Sequence, residues 1–110
     1  MIVLDVHERA GWHVLTVSGE LDVATAPRMR GEIVRLVADG VTDLVLDLSG
    51  VDFIDSFGLG VLVGALKRVR SHGGRMSVVI TEPRVLGVVE LTGLDRILDM
   101  SASVDDAVGD

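Results

Sequence analysis

The 110-residue sequence contains no cysteine, no tyrosine, one tryptophan and two phenylalanines. Without cysteine, the chain can form neither a disulfide framework nor a thiolate metal site. With an aromatic fraction of 3%, the core must be built from aliphatic side chains. Apolar runs such as 44–46 are far shorter than the roughly 20 residues of a membrane-spanning helix. The first residues also lack the basic and apolar segments of a signal peptide, so we expect a cytoplasmic protein that contacts no membrane.

Basic residues are scarce as well. The sequence has 10 Lys and Arg against 17 Asp and Glu, which gives a formal net charge of -7. Proteins that bind nucleic acid through its phosphates need the opposite balance, so we expect no nucleic-acid partner. A hydrophobic fraction of 48% and a charged fraction of 25% are typical of a folded globular domain. A chain of this length has room for one core, so residues 1–110 are predicted to form a single domain.

The hydrophobic pattern predicts strands that alternate with helices. In residues 12–17, Trp12 and Val14 fall on one face of a strand, and Leu15 and Val17 fall on the other. Strands are predicted at 1–6, 12–17, 44–48, 76–80 and 97–98, helices at 25–38, 56–71, from Pro83 onward and at 104–108, and loops at 18–22 and 49–55. This order predicts an α/β fold: a small, mostly parallel sheet with an antiparallel edge hairpin, flanked by about four helices. Since no long exposed apolar stripe is evident, we expect a monomer or a weak dimer.

The most informative stretch is 53–60, where a loop turns into a predicted helix and Ser56 stands at the junction. Ser56 fits the role of an N-cap, whose hydroxyl accepts a bond from the first turn. It also fits a phosphate acceptor, because a helix N-terminus offers free N–H groups and a positive dipole end. Gly58 and Gly60 weaken that turn by up to ~1 kcal/mol each relative to alanine. Glycines at such positions let another molecule approach the backbone closely.

The sequence gives little support to enzyme chemistry. Residues 54–58 differ from the nucleophile elbow G-x-S-x-G by Ile54 in place of the first glycine. His72 lies at the far end of the helix predicted to start at Ser56, about 24 Å away at 1.5 Å per residue. Residues 58–64 have one residue too many for the dinucleotide pattern G-x-G-x-x-G. No metal-ligand spacing occurs either, and we expect no catalytic residue, no metal and no cofactor.

Asp47 indicates an alternative from another class of signalling protein. It ends a predicted buried strand, where a receiver domain carries its phosphoacceptor aspartate. A receiver also needs an acidic pair after its first strand, which residues 3–8 do not supply cleanly. It further needs a lysine after a later strand, whereas the only lysine, Lys67, lies on a predicted helix. A receiver-like phosphoacceptor module is therefore the alternative prediction.

Several motifs taken together resemble the STAS domain of anti-sigma factor antagonists. In chain order they are Gly19-Glu20-Leu21-Asp22, Thr25-Ala26-Pro27, Val51-Asp52-Phe53-Ile54-Asp55-Ser56 with Gly58-Leu59-Gly60, Gly73-Gly74 and Leu91-Thr92-Gly93-Leu94. Their order and spacing match over nearly the whole chain. The specificity of the resemblance comes from this combination, since no single motif carries it.

The resemblance implies a STAS fold and a binding switch rather than an enzyme. In this family, the unphosphorylated antagonist binds an anti-sigma factor and frees its sigma factor. The anti-sigma factor is often also a serine kinase that phosphorylates the antagonist, and a PP2C-type phosphatase reverses the modification. The family's phosphoacceptor matches Ser56, and its partner-binding surface matches Glu20, Asp22 and Asp55. Another STAS signalling or scaffold protein is the alternative within the same superfamily.

Thr25, Phe57 and Gly58 complete the predicted partner-binding set. Thr25 belongs to one of the matching motifs, and Gly58 offers close approach to the backbone. Family members commonly carry a small residue, often Ser or Thr, at the position of Phe57. Phe57 has two predicted positions: folded back onto Ile54 as a local apolar plug, or partly exposed as an apolar contact for the partner.

Overall fold

The structure, a computed structural model, describes residues 1–109; Asp110 lies outside the described part. Its elements are β1 (Ile2–Arg9), β2 (Trp12–Leu21), α1 (Ala26–Ala38), β3 (Asp43–Ile54), α2 (Ser56–Ser71), β4 (Arg75–Val79), α3 (Pro83–Leu91), a 3-10 turn (Leu94–Arg96), β5 (Asp99–Ser101) and α4 (Val104–Val108). The strands form one sheet in the order β1-β2-β3-β4-β5. β1 is antiparallel to β2, and all other neighbours are parallel. The predicted α/β fold with an antiparallel edge hairpin is confirmed.

The two faces of the sheet are covered unequally. Helices α1, α2 and α3 cover one face and bury the larger aliphatic cluster, which includes Leu15 and Val17. The short helix α4 covers part of the other face, over a small cluster that includes Trp12 and Val14. The alternation predicted for residues 12–17 is therefore confirmed. The Arg75 guanidinium stacks over the Trp12 ring at 4.5 Å, which closes one edge of the smaller cluster.

The loops predicted at 18–22 and 49–55 are wrong over most of their length. β2 continues to Leu21 and β3 continues to Ile54, because the two strands keep pairing in parallel up to these residues. The pairing contains register shifts on both sides of Gly19, which has a φ of 111°. Such bulges break the two-residue alternation from which strands are predicted. As a result, both strands reach the edge of the sheet where the site lies.

The strand predicted at 97–98 is wrong, and β5 follows it at Asp99–Ser101. Polar groups help to hold β5 in place: the buried Ser77 hydroxyl donates to the Asp99 carbonyl at 3.1 Å and is 2.7 Å from the Ser101 hydroxyl. Because two of its three residues are polar, β5 shows no hydrophobic pattern from which a strand could be predicted.

β1 extends to Arg9 rather than residue 6 because its hairpin with β2 stays paired. The bounds predicted for α2 are confirmed.

Candidate functional site

The predicted site residues meet at the carboxyl ends of the parallel strands β2 and β3. Leu21 and Ile54, the last residues of these strands, are paired. The backbone N–H of Asp55 donates to the Leu21 carbonyl at 3.0 Å, which ties the start of α2 to the end of β2. Asp22 follows one strand end and Ser56 follows shortly after the other. The carboxyl edge of a parallel sheet is a common place for functional groups, and here it brings together motifs that are distant in sequence.

Asp55, not Ser56, caps helix α2. The Asp55 Oδ1 accepts hydrogen bonds from the backbone N–H groups of Phe57 at 2.9 Å and Gly58 at 3.1 Å. Ser56 is the first residue of the helix, so the N-cap role predicted for it is wrong. An acidic cap complements the positive end of the helix dipole. It also occupies two of the N–H groups that a bound phosphate would otherwise use.

The Ser56 side chain is exposed, and its hydroxyl makes no hydrogen bond within residues 1–109. The other exposed serines of that range have partners. The Ser49 hydroxyl donates to the Asp47 carboxylate at 2.7 Å, and the Ser71 hydroxyl donates to the Arg68 carbonyl at 2.9 Å. Ser56 therefore offers an accessible hydroxyl with no internal bond to break.

A hydrogen-bonded turn connects β2 to α1. The Asp22 Oδ1 accepts from the backbone N–H groups of Ala24 at 2.9 Å and Thr25 at 3.0 Å. The Thr25 hydroxyl accepts from the Asp22 N–H at 3.0 Å and donates to the Glu20 carbonyl. Burial would raise the pKa of Asp22, but the backbone hydrogen bonds from Thr25 and Ala24 outweigh it and hold this pKa below its ordinary value. Thr25 is buried, so it acts by shaping the turn, whereas the Glu20 side chain is exposed.

Gly58 and Gly60 face different surroundings. A Cβ atom on Gly58 would lie 2.7 Å from the Ile54 Cγ1 and 2.9 Å from the Leu21 carbonyl oxygen. A Cβ atom on Gly60 would meet nothing within 4 Å. The atoms that approach Gly58 closely thus belong to the ends of β2 and β3. The sequence had predicted that another molecule would approach the backbone there. Only Gly60 opens to the surface.

Large exposed apolar side chains lie at the strand ends that precede Ser56 and at the start of α2. Phe57 is 57% exposed, as one of its two predicted positions requires. Sequence reasoning missed Phe53 and Val23, which are 46% and 59% exposed. The pairing of Phe53 with Glu20 places it beside the acidic end of β2, a relation that depends on the strand extension. Both phenylalanines of the chain are therefore exposed near Ser56, and an apolar surface with a polar rim is typical of a protein–protein contact.

Asp47 does not end a strand. It lies inside β3, which continues to Ile54, and its Oδ1 accepts bonds from the Ser49 N–H and hydroxyl. The receiver-like placement predicted for Asp47 is wrong. His72 follows the last residue of α2, at the opposite end from Ser56. Within residues 1–109, no group of three or more acidic or histidine side chains is placed to hold a metal ion, and no helix has the length and apolar character needed to cross a membrane.

The model of the STAS domain family matches residues 2–107. This chain belongs to the STAS domain family. The anti-sigma-B factor antagonist of Bacillus subtilis (strain 168) is 36% identical over 107 residues, which cover 97% of each chain. The crystal structure of an anti-sigma factor antagonist from Mycobacterium paratuberculosis matches with a TM-score of 0.91 at 36% identity, over 99% of this chain and 92% of that one. The Bacillus cell fate determinant SpoIIAA in its phosphorylated form shares the fold, with a TM-score of 0.73 at 21% identity over 97% of each chain.

In this STAS domain the Ser56 hydroxyl is exposed and makes no hydrogen bond within residues 1–109. Asp22, Asp55 and the exposed Phe57 lie at the same paired strand ends as Ser56. No histidine or carboxylate within residues 1–109 accepts a hydrogen bond from that hydroxyl. The serine is therefore accessible but has no internal base to activate it.

Proposed function

We propose that this STAS domain is an anti-sigma factor antagonist that works as a phosphorylation-controlled binding switch. Its unphosphorylated form binds an anti-sigma factor, which then releases its sigma factor. The observation that carries the proposal is the exposed, unbonded hydroxyl of Ser56 at the first position of α2. The 36% identical antagonist of B. subtilis supports the partner class.

The anti-sigma factor is proposed to be the serine kinase that modifies Ser56. In that step, the Ser56 oxygen bonds to the γ-phosphorus of ATP, the bond to ADP breaks, and the hydroxyl proton passes to a base on the kinase. A PP2C-type phosphatase then hydrolyses the phosphoserine with water and restores the hydroxyl. Within residues 1–109 no side chain accepts a hydrogen bond from the Ser56 hydroxyl and no cluster is placed to hold a metal ion, and in this cycle the chain acts as substrate and ligand. Both partners meet it in the cytoplasm.

Charge explains how phosphorylation prevents binding. A phosphate adds about -1.5 to -2 charges at neutral pH, directly beside Asp55, which already complements the helix dipole. A partner docked over Ser56 would have to desolvate this group or move away from it. A loss of about 2–4 kcal/mol weakens binding about thirtyfold to a thousandfold. The switch therefore needs no large conformational change.

The proposal is tested by capture from a native lysate with matched variants. The wild-type chain, Ser56→Ala and Thr42→Asp should retain one ATP-binding serine kinase, and Ser56→Asp should lose it. Thr42→Asp is the control because it adds the same charge at an exposed position that precedes β3, at the opposite end of that strand from Ser56. With ATP, the purified kinase should place one phosphate on Ser56. Equal retention by all variants, or stoichiometric labelling of Ser49 in Ser56→Ala, would refute the proposal.

A further inference from the structure

A groove runs along the outer surface between α1 and α2, starting beside Ser56. It consists of two adjoining cavities of about 310 Å³ and about 410 Å³, which share Arg30, Phe57 and Val61 in their walls. Val61 is buried and forms part of an apolar floor. The exposed Val23 lines the outer end of the groove. The groove is thus continuous with the exposed apolar surface around Ser56.

The length of the groove suits a helix. Along α2 it is lined from Phe57 to Arg68, a span of about 16 Å at 1.5 Å per residue, or about three helical turns. Gly60 and Gly64 line it between these ends, and a Cβ atom on either would meet nothing within 4 Å. This leaves room for another backbone to approach closely.

The groove is basic although the chain carries a net charge of -7. Arg30 and Arg68 line the same cavity. Within residues 1–109 neither guanidinium forms an ion pair or a hydrogen bond, whereas Arg75, for example, pairs with Asp43 at 2.9 Å. Lys67 is exposed beside Arg68. An acidic surface at Ser56 therefore adjoins a basic groove with unpaired cations.

We propose that the anti-sigma factor lays an acidic, amphipathic helix into the groove between α1 and α2. This inference rests on the proposed function and names the part of the partner that binds beyond Ser56. Apolar side chains at helical spacing contact Phe57 and Val61, and carboxylates meet the forked donors of Arg30 and Arg68. The opposite charges of the two adjoining surfaces fix the orientation of the partner.

Filling the groove tests the inference. Gly64→Leu places a side chain in the groove, and Gly87→Leu is its matched control on α3, because both glycines lie inside helices and have open space at the Cβ position. By calorimetry with the kinase purified in the capture experiment, Gly64→Leu should bind about tenfold or more weakly. Gly87→Leu should bind as the wild type does. Arg30→Glu and Arg68→Glu should also weaken binding, and Arg84→Glu on α3 should not.

Cross-linking identifies the occupant. Because the chain has no cysteine, Gly64→Cys can be labelled with a benzophenone maleimide at that position alone. The cross-linked partner peptide should carry net negative charge and apolar residues at helical spacing, and Gly87→Cys should give no such product. Cross-linking to a basic segment, or to a second copy of this chain, would overturn the inference.

The outcomes separate this inference from the proposed function. If Ser56→Asp loses the kinase but Gly64→Leu, Arg30→Glu and Arg68→Glu bind as tightly as the wild type, the groove assignment is refuted and the proposed function stands. If the wild-type chain binds no anti-sigma factor, the proposed function fails and the inference fails with it. Melting temperatures at or above that of the wild type for Gly64→Leu exclude misfolding as the cause of weaker binding.

Discussion

Replacing Gly58 by alanine tests how tightly the start of α2 is held against the strand ends. The new Cβ atom would lie 2.7 Å from the Ile54 Cγ1, 2.9 Å from the Leu21 carbonyl oxygen and 3.0 Å from the Leu21 Cβ. The Ile54 side chain can shift, but the Leu21 oxygen belongs to the backbone and accepts the hydrogen bond from Asp55. The substitution therefore pushes α2 away from the bond that anchors it.

The expected magnitude is the sum of two effects of opposite sign. Alanine favours a helix over glycine by about 0.8–1 kcal/mol, whereas overpacking a tight site costs about 1–3 kcal/mol. Gly58→Ala should therefore lower the free energy of unfolding by about 1 kcal/mol. Gly60→Ala, two residues further along α2, has the same gain in helix propensity and no opposing contact. It should raise the free energy of unfolding by up to about 1 kcal/mol.

The assay is urea unfolding followed by circular dichroism, with both variants and the wild type measured together. Equal slopes for the three proteins would attribute the change in midpoint to stability alone. Gly58→Ala should unfold at lower urea than the wild type, and Gly60→Ala at equal or higher urea. If Gly58→Ala is as stable as Gly60→Ala, the close packing of α2 against β2 is refuted.

Three other perturbations have defined outcomes. Asp55→Ala removes the cap of α2 and should lower the free energy of unfolding, measured by urea titration, by about 1 kcal/mol. Asp55→Asn keeps a hydrogen-bond acceptor and should lower it less. Equal losses for the two variants would contradict the capping role. Phe57→Ser should leave the melting temperature unchanged, because the ring is exposed. It should weaken binding of the anti-sigma factor, measured by calorimetry, by about 1–2 kcal/mol, and it should speed phosphorylation of Ser56 because a large neighbouring ring is removed. A lowered melting temperature with wild-type binding and phosphorylation would mean that Phe57 only packs. A hydrogen bond from the Arg75 guanidinium holds the pKa of Asp43 in the folded protein below its ordinary value of 3.8. The ionised Asp43 therefore stabilises the fold fully above pH 3.8, and this contribution is lost as the pH falls through the lowered pKa. Asp43→Asn should reduce the fall in the free energy of unfolding below about pH 5, and an unchanged fall would contradict this.

Helix bounds could be predicted because their signals are local. Pro83 opens α3 and Gly73 follows the end of α2 with a φ of 75°, and both residues are visible in the sequence. The ends of β2 and β3 could not be predicted in the same way. They depend on pairing between residues 20–21 and 53–54, which are separated in sequence by α1. The register shifts beside Gly19 also interrupt the alternation of buried and exposed residues along β2.

The candidate site was predictable in its residues but not in their roles. Asp55 and Ser56 are adjacent, and both are good N-cap types, so local sequence cannot decide which of them caps α2. In the sequence Gly58 and Gly60 cannot be distinguished. Only the position of β2 shows that Gly58 packs against the chain itself and that Gly60 does not. Phe53 was missed because its neighbourhood was predicted as a loop. In each case the deciding contact comes from an element distant in sequence.

The most direct test of the switch is the dissociation constant of the purified anti-sigma factor, measured for the unmodified chain and for the chain fully phosphorylated on Ser56. Mass spectrometry would first establish one phosphate per chain, on Ser56. We expect the phosphorylated chain to bind the anti-sigma factor about thirtyfold or more weakly, with full recovery after a PP2C-type phosphatase removes the phosphate. Equal dissociation constants for the two forms would contradict it.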